Sequence, residues 1–127
     1  MSVVLTAEQS IYIQIAKKLE DDILRGIFAE DEAVPSTNQL AALYQINPAT
    51  AAKGINLLVD EEILYKKRGI GMFVTADAKA IIVSKRKTSF YERFIVTLVR
   101  EAKQLGISAD ELSDMIKREA AGKDGVQ

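Results

Sequence analysis

The 127-residue chain contains no cysteine, no histidine and no tryptophan. Without cysteine there are no disulfides and no thiol catalysis. Without histidine the commonest general base and the commonest metal ligand are missing, which excludes Ser-His-Asp and Cys-His sites and ordinary zinc centres. Carboxylate, lysine and serine chemistry stays open, but Asp60 and Glu61 are neighbours on a helix and point in different directions. No catalytic residue, metal or cofactor is therefore assigned, and an enzyme is disfavoured. Long apolar runs are also missing. Nothing approaches the roughly 20 residues of a membrane span, and Met1-Ser2-Val3-Val4-Leu5 is too short and uncharged for a signal peptide. A cytoplasmic protein without a membrane partner is expected.

An excess of either charge is lacking as well: 17 Lys and Arg oppose 18 Asp and Glu, for a net charge of -1. Seven bases and ten acids fall in residues 1–75, and ten bases and eight acids in the remainder. Neither half is a basic domain, so an anionic partner has to be argued from positions. What is plentiful is apolar surface. With 48% hydrophobic residues the chain can build a core, and its length suits one small domain with an appendage.

Three helices and a hairpin are legible along the first part. Thr6-Ala-Glu-Gln9 has capping-box spacing and predicts a helix from about Ala7. Its apolar face repeats every four residues at Ile11, Ile15, Leu19, Ile23 and Ile27. Gly26 is a stop signal, and the charge of Glu20-Asp21-Asp22 reads as solvated or as facing away from any polyanion. Ser36-Thr-Asn-Gln39 is a second capping box, opening a short helix with Leu40, Ala41, Leu43 and Tyr44. Asn47 as N-cap and Pro48 in the first turn start a third helix, whose core face is Ala51, Ile55, Leu58 and Val59. Ile63–Lys67 and Met72–Thr75 read as strands joined by Arg68-Gly69-Ile70-Gly71, a hairpin with a cationic turn. A tight turn between the second and third helices, followed by a hairpin, spells a winged helix-turn-helix in which Arg68 lies on the wing.

From Asp77 the pattern is helical again to about Leu105. Tyr91, Ile95, Leu98, Ala102 and Leu105 form a two-heptad seam, widened by Phe90, Phe94 and Val99. Lys85-Arg86-Lys87 reads as a solvated face. Gly106 fits a helix end, and Ser108-Ala-Asp-Glu111 is a third capping box before a helix carrying Leu112, Met115 and Ile116. Lys123–Gln127 reads as a frayed tail. The expected fold is mainly α with a small β-hairpin: a winged helix-turn-helix over residues 1–76 and a two-helix dimerisation tail over 77–127. Two helices cannot bury so broad a stripe alone. A symmetric dimer through Phe90, Tyr91, Phe94, Ile95, Leu98, Ala102, Leu105, Leu112 and Ile116 is expected, the alternative being a purely intrachain core.

Ser10-Ile-Tyr-Ile-Gln-Ile-Ala16, Ile23-Leu-Arg-Gly26, Val34-Pro-Ser36, Leu40-Ala41 and Gly69-Ile-Gly-Met-Phe-Val74 resemble the GntR family of bacterial transcription regulators. The resemblance runs in order over residues 9–75. The Asn47-Pro48-Ala49-Thr50 turn and the short tail look like the YtrA-type subfamily. This resemblance implies a dimeric DNA-binding repressor, often encoded beside the ABC-transporter genes it controls. The chain departs from the family pattern at an arginine that contacts DNA in relatives, here Asn38, and at two more, here Pro48 and Ala52.

The remaining DNA-binding candidates follow from residue chemistry. Lys53 suits a phosphate or a guanine edge, and Ala49 and Thr50 a thymine methyl and a phosphate. Ser36 and Thr37 can donate to phosphate at a helix N-terminus. Lys66, Lys67 and Arg68 charge the wing, where Gly69, Ile70 and Gly71 let backbone approach a groove. Plainer readings stand beside these. On these the wing bases serve only to keep a strand edge soluble, and Ser36, Asn47 and Pro48 only to start helices. The leading expectation is a homodimer on a palindromic operator. The alternative is a winged-helix adaptor for a protein partner that does not bind DNA. An unknown small-molecule effector is a further partner class, with no residues assigned to it, because the Phe90/Tyr91/Phe94 aromatics are read as packing residues.

Overall fold

The computed structural model describes residues 10–125, the last three by backbone alone. The elements are α1 (Ile11–Leu24), α2 (Thr37–Tyr44), α3 (Pro48–Asp60), β1 (Leu64–Lys67), β2 (Gly71–Val74), α4 (Ala78–Phe90), a π-helical turn (Tyr91–Ile95), α5 (Val96–Gln104) and α6 (Ala109–Gly125). This is the winged helix-turn-helix followed by C-terminal helices that the sequence patterning predicts. The Thr6 capping box lies outside the described residues, as do residues 126 and 127. Among the described residues no helix is long and apolar enough to cross a membrane.

The chain divides into two compact units, with the division between Lys85 and Arg86. In the first unit, Ile15, Leu19 and Ile23 of α1 meet Leu40 of α2 and Ala51, Ile55 and Leu58 of α3 in one buried cluster. Each fully buried Leu or Ile contributes about 1.5–3 kcal/mol relative to exposure. Ile63, Leu64 and Val74 extend the cluster under the hairpin, and Ala78 and Ile82 of α4 complete it. The start of α4 therefore belongs to the winged core, beyond the boundary at residue 76 that the resumption of helical pattern at Asp77 predicts. Ile27 follows the α1 period but is half exposed, because Gly26, at φ +80°, has already ended the helix.

The hairpin is antiparallel, with Leu64 opposite Val74, Tyr65 opposite Phe73, Lys66 opposite Met72 and Lys67 opposite Gly71. The connection before α2 joins it as a third, irregular edge. Asp31 N–H donates to Val74 O, Val34 N–H to Met72 O, and Val74 N–H to Glu32 O. Val34, which proline at 35 disfavours from a helical conformation, is thus a ladder partner of the wing.

In the second unit the helix expected to run unbroken to Leu105 is interrupted by the π-helical turn at Tyr91–Ile95. A π-turn inserts an extra residue into the helical repeat. Sequence spacing therefore misplaces Tyr91 and Ile95 relative to Leu98 and Ala102. Gly106, at φ +72°, ends α5, and the Ser108 Oγ accepts from Glu111 N–H at 3.1 Å to open α6. That helix continues to Gly125, through most of the segment read as a frayed tail.

Candidate nucleic-acid interface

The turn between α2 and α3 is built from caps. Ser36 Oγ accepts from Gln39 N–H at 3.1 Å, while Gln39 Oε1 accepts from Ser36 N–H at 2.8 Å. Gln45, in the left-handed region at φ 55°, ends α2. Asn47 Oδ1 then accepts from Ala49 N–H at 2.7 Å, and Pro48 occupies the first turn of α3. Cap and contact are compatible roles: each cap uses an acceptor and leaves the Ser36 hydroxyl hydrogen and the Asn47 amide Nδ2 as donors. Around these caps Asn38, Asn47, Pro48 and Ala49 are exposed, and Thr37 and Thr50 half-buried.

Lys53, one turn further along α3, is exposed, and its ammonium lies 4.2 Å from the centroid of the Tyr12 ring on α1. It is the single cation in α3. The two helices meet closely at the next residue. A Cβ on Gly54 would stand 2.8 Å from the Tyr12 carbonyl oxygen, so only glycine fits there without movement. Tyr12, Ala49, Ala52, Lys53, Asn56, Leu57 and Asp60 line one open groove.

On the wing, strand alternation separates three bases that are consecutive in sequence. Lys67 projects on the side of Tyr65 and Phe73, its ammonium 4.3 Å from the Phe73 ring centroid. Lys66 lines a different groove, with Glu62 and Asp77. Arg68, Gly69 and Ile70 form the exposed tip, Gly71 is half-buried, and Gly69 adopts φ +75°. The structure thus brings Ala49 and Lys53 together on one groove wall and places Lys66 on another. Tyr65 braces the base of the wing. Its hydroxyl donates to Asp31 Oδ1 at 2.8 Å, and that hydrogen bond, with lesser help from burial, holds the phenol pKa above its ordinary value.

A charge cluster behind α3 escaped sequence reasoning. Glu20, expected to be solvated, is buried on the inner side of α1 and pairs with Lys85 of α4. Lys85 also bonds Glu61, the C-cap of α3, at 2.8 Å. Burial alone would lower the lysine pKa. Hydrogen bonds to the two carboxylates outweigh that and raise it above the ordinary value. Lys85 is therefore not part of a free basic face. The signal available beforehand was Glu20 itself, which falls next to Leu19 and one turn before Ile23 on the apolar side.

In the second unit Phe90, Tyr91 and Phe94 are each about half exposed, as is Ile116, while Leu105 is 73% exposed. Leu98 is exposed and Ile95 and Leu112 are intermediate, so of the nine stripe residues only Ala102 is buried. The Phe90 and Phe94 rings pack at 5.3 Å between centroids, with Arg93 over Phe94.

Comparison with known proteins fits this architecture. Residues 11–74 match the family described as bacterial regulatory proteins, gntR family. The HTH-type transcriptional repressor YtrA of Bacillus subtilis (strain 168) is 30% identical over 115 residues, covering 91% of this chain and 88% of that one. A crystal structure of a GntR-family transcriptional regulator from Bacteroides thetaiotaomicron superposes with a TM-score of 0.77 at 35% identity, covering 89% of this chain and 98% of that one. The AraR DNA-binding domain, solved in complex with operator ORX1, matches with a TM-score of 0.53 at 26% identity, over 59% of this chain and 96% of that one. Winged unit, short helical tail and sequence likeness along nearly the whole length converge, and the chain belongs to the gntR family of bacterial regulatory proteins.

Proposed function

We propose that the protein is a sequence-specific, DNA-binding transcription repressor of YtrA type, acting in the cytoplasm as a homodimer on a palindromic operator. The observation that carries this reading is the α2–turn–α3 unit. Two capped helices present exposed Asn47, Pro48, Ala49 and Lys53 around the start of α3, on a fold shared with a domain solved on its operator. Each α3 enters a major groove, with the two half-sites about 34–36 Å apart. Ser36, Thr37 and Asn38 at the start of α2 face phosphate, and the Arg68-Gly69-Ile70-Gly71 tip tracks the adjacent backbone or groove. The exposed Phe90, Tyr91, Phe94, Leu98, Leu105 and Ile116 support pairing of two tails, since apolar surface on this scale marks an interaction site. From the resemblance to the YtrA-type subfamily, the controlled genes are read as a transporter operon, of the ABC class.

The test is binding to the DNA upstream of the protein's own gene across a salt series. Lys53, Lys66, Lys67 and Arg68 supply four cations per chain, so a dimer releasing counterions at all of them gives a log–log slope of about -7. Lys53→Glu and Arg68→Glu abolish binding while sedimentation still reports the dimer, and Phe94→Glu dissociates it. Normal binding by both charge-reversed variants refutes the assigned DNA face. No DNA retention even at low salt, with a protein partner captured through the tail, replaces this reading with the adaptor.

A further inference from the structure

Lys53 is the one cation of α3, which otherwise begins with the uncharged Pro48, Ala49, Thr50, Ala51 and Ala52. A single lysine on a flexible four-carbon stem is a poor recognition element by itself. Its rotamer freedom has to be given up on contact. The structure supplies a restraint. The Lys53 ammonium sits over the face of the Tyr12 ring, 4.2 Å from its centroid and well inside the range of about 6 Å over which a ring quadrupole attracts a cation.

This contact is tied to the backbone packing. The absence of a side chain at Gly54 lets α3 descend onto the carbonyl of Tyr12, which sets the ring beside residue 53. Tyr12 and Lys53 then share the groove with Ala49, Ala52 and Asn56, while Asp60 closes its C-terminal end with negative charge. An anion is repelled from the Asp60 end and admitted at the Ala49 end, where α3 begins and its dipole is positive. The ring therefore holds the ammonium in a groove whose open end suits a phosphate.

We propose that Tyr12, a residue of α1 outside the helix-turn-helix, is a positioning residue for DNA binding: its ring preorganises Lys53 for a phosphate or guanine at the start of α3. This rests on the DNA-binding reading above. The ring stays in contact with the stem while the ammonium engages DNA, so the restraint lowers the ordering cost of binding and is not a competitor for the cation.

The experiment uses the full chain and a duplex selected by the wild-type protein from a random-sequence pool, with affinity read by fluorescence anisotropy. Tyr12→Phe retains the ring and binds like wild type. Tyr12→Leu removes the ring and weakens binding about two- to fivefold per half-site, the range of an exposed cation–π contact. In a Lys53→Met background Tyr12→Leu has no further effect, which a purely structural role for Tyr12 does not predict. Pentafluorophenylalanine at position 12 keeps the shape of the ring and reverses its quadrupole, so it reproduces the loss without disturbing the fold. Equal affinity of the fluorinated and Tyr12→Phe proteins overturns the proposal, and so does an undiminished Tyr12→Leu effect without Lys53. Tighter binding by Tyr12→Leu also overturns it, since the ring would then sequester the lysine. Failure of the wild-type protein to select any duplex is a different result, and removes the DNA-binding reading itself.

Discussion

Replacing Lys85 with methionine keeps the length of the side chain and removes the ammonium that Glu20 and Glu61 share. Breaking a fully buried ion pair in this way costs about 3–5 kcal/mol, because a charge is left in a poor solvent. The Glu20 side chain is 4% exposed but that of Lys85 is 38% exposed, so water screens part of the attraction. The loss expected here is about 1–3 kcal/mol. For a domain of this size about 1 kcal/mol corresponds to roughly 4–8 °C, so the melting temperature falls by some ~5–20 °C. The pH dependence is diagnostic. In the native protein burial lowers the lysine pKa, and the two carboxylates more than reverse this and raise it. The resulting stabilisation is complete below the unfolded value of about 10.4 and is lost only as pH climbs through the higher folded value, so it is constant through neutrality. The deficit is therefore the same at pH 5 and at pH 7.5 and shrinks only in the alkaline range where Lys85 of the wild-type protein loses its proton. Urea unfolding followed by circular dichroism at both pH values measures this, and adding Glu20→Gln to Lys85→Met restores most of the loss. A deficit below about 0.5 kcal/mol at pH 7.5, or one that differs between the two pH values, refutes the account.

Two further substitutions test the local geometry. Gly54→Ala drives a methyl to 2.8 Å from the Tyr12 carbonyl oxygen and destabilises by about 1–3 kcal/mol, whereas Gly122→Ala, with open space around it, stabilises by about 0.5–1 kcal/mol; thermal melts of the pair distinguish strain from helix propensity. Asn47→Ala removes the acceptor for Ala49 N–H and lowers unfolding stability by about 1 kcal/mol, measured by denaturant midpoint at unchanged slope.

Most of the winged unit was legible in the sequence because its signals are local. Ser36 and Gln39 cap one another across three residues, and Asn47 with Pro48 starts α3 by itself. Ile15, Leu19 and Ile23 announce their buried face by helical period, and the hairpin follows from glycines flanked by β-formers. The candidate DNA-binding residues were nameable on the same basis, since the beginning of α3 and the tip of the wing are determined by these boundaries. Where spacing alone was used over a longer span it failed: the π-helical turn at Tyr91–Ile95 adds a residue that no heptad count anticipates.

Other features depend on which elements meet. Glu20 and Lys85 are 65 residues apart, and only the docking of α4 against α1 turns an acidic run and a basic run into one charge cluster around the buried Glu20. Asp31 and Tyr65 become partners because the irregular edge before α2 pairs with the wing. Lys66 and Lys67, adjacent in sequence, line different surfaces because a strand turns alternate side chains to opposite faces. The amino-acid sequence by itself determined α2 and α3 with their caps, the hairpin and the family, all set by neighbours within a few residues. The tertiary structure alone decided which charges are neutralised, and that Tyr12 lies beneath Lys53. Burial and charge pairing depend on distances between elements, which no local pattern encodes.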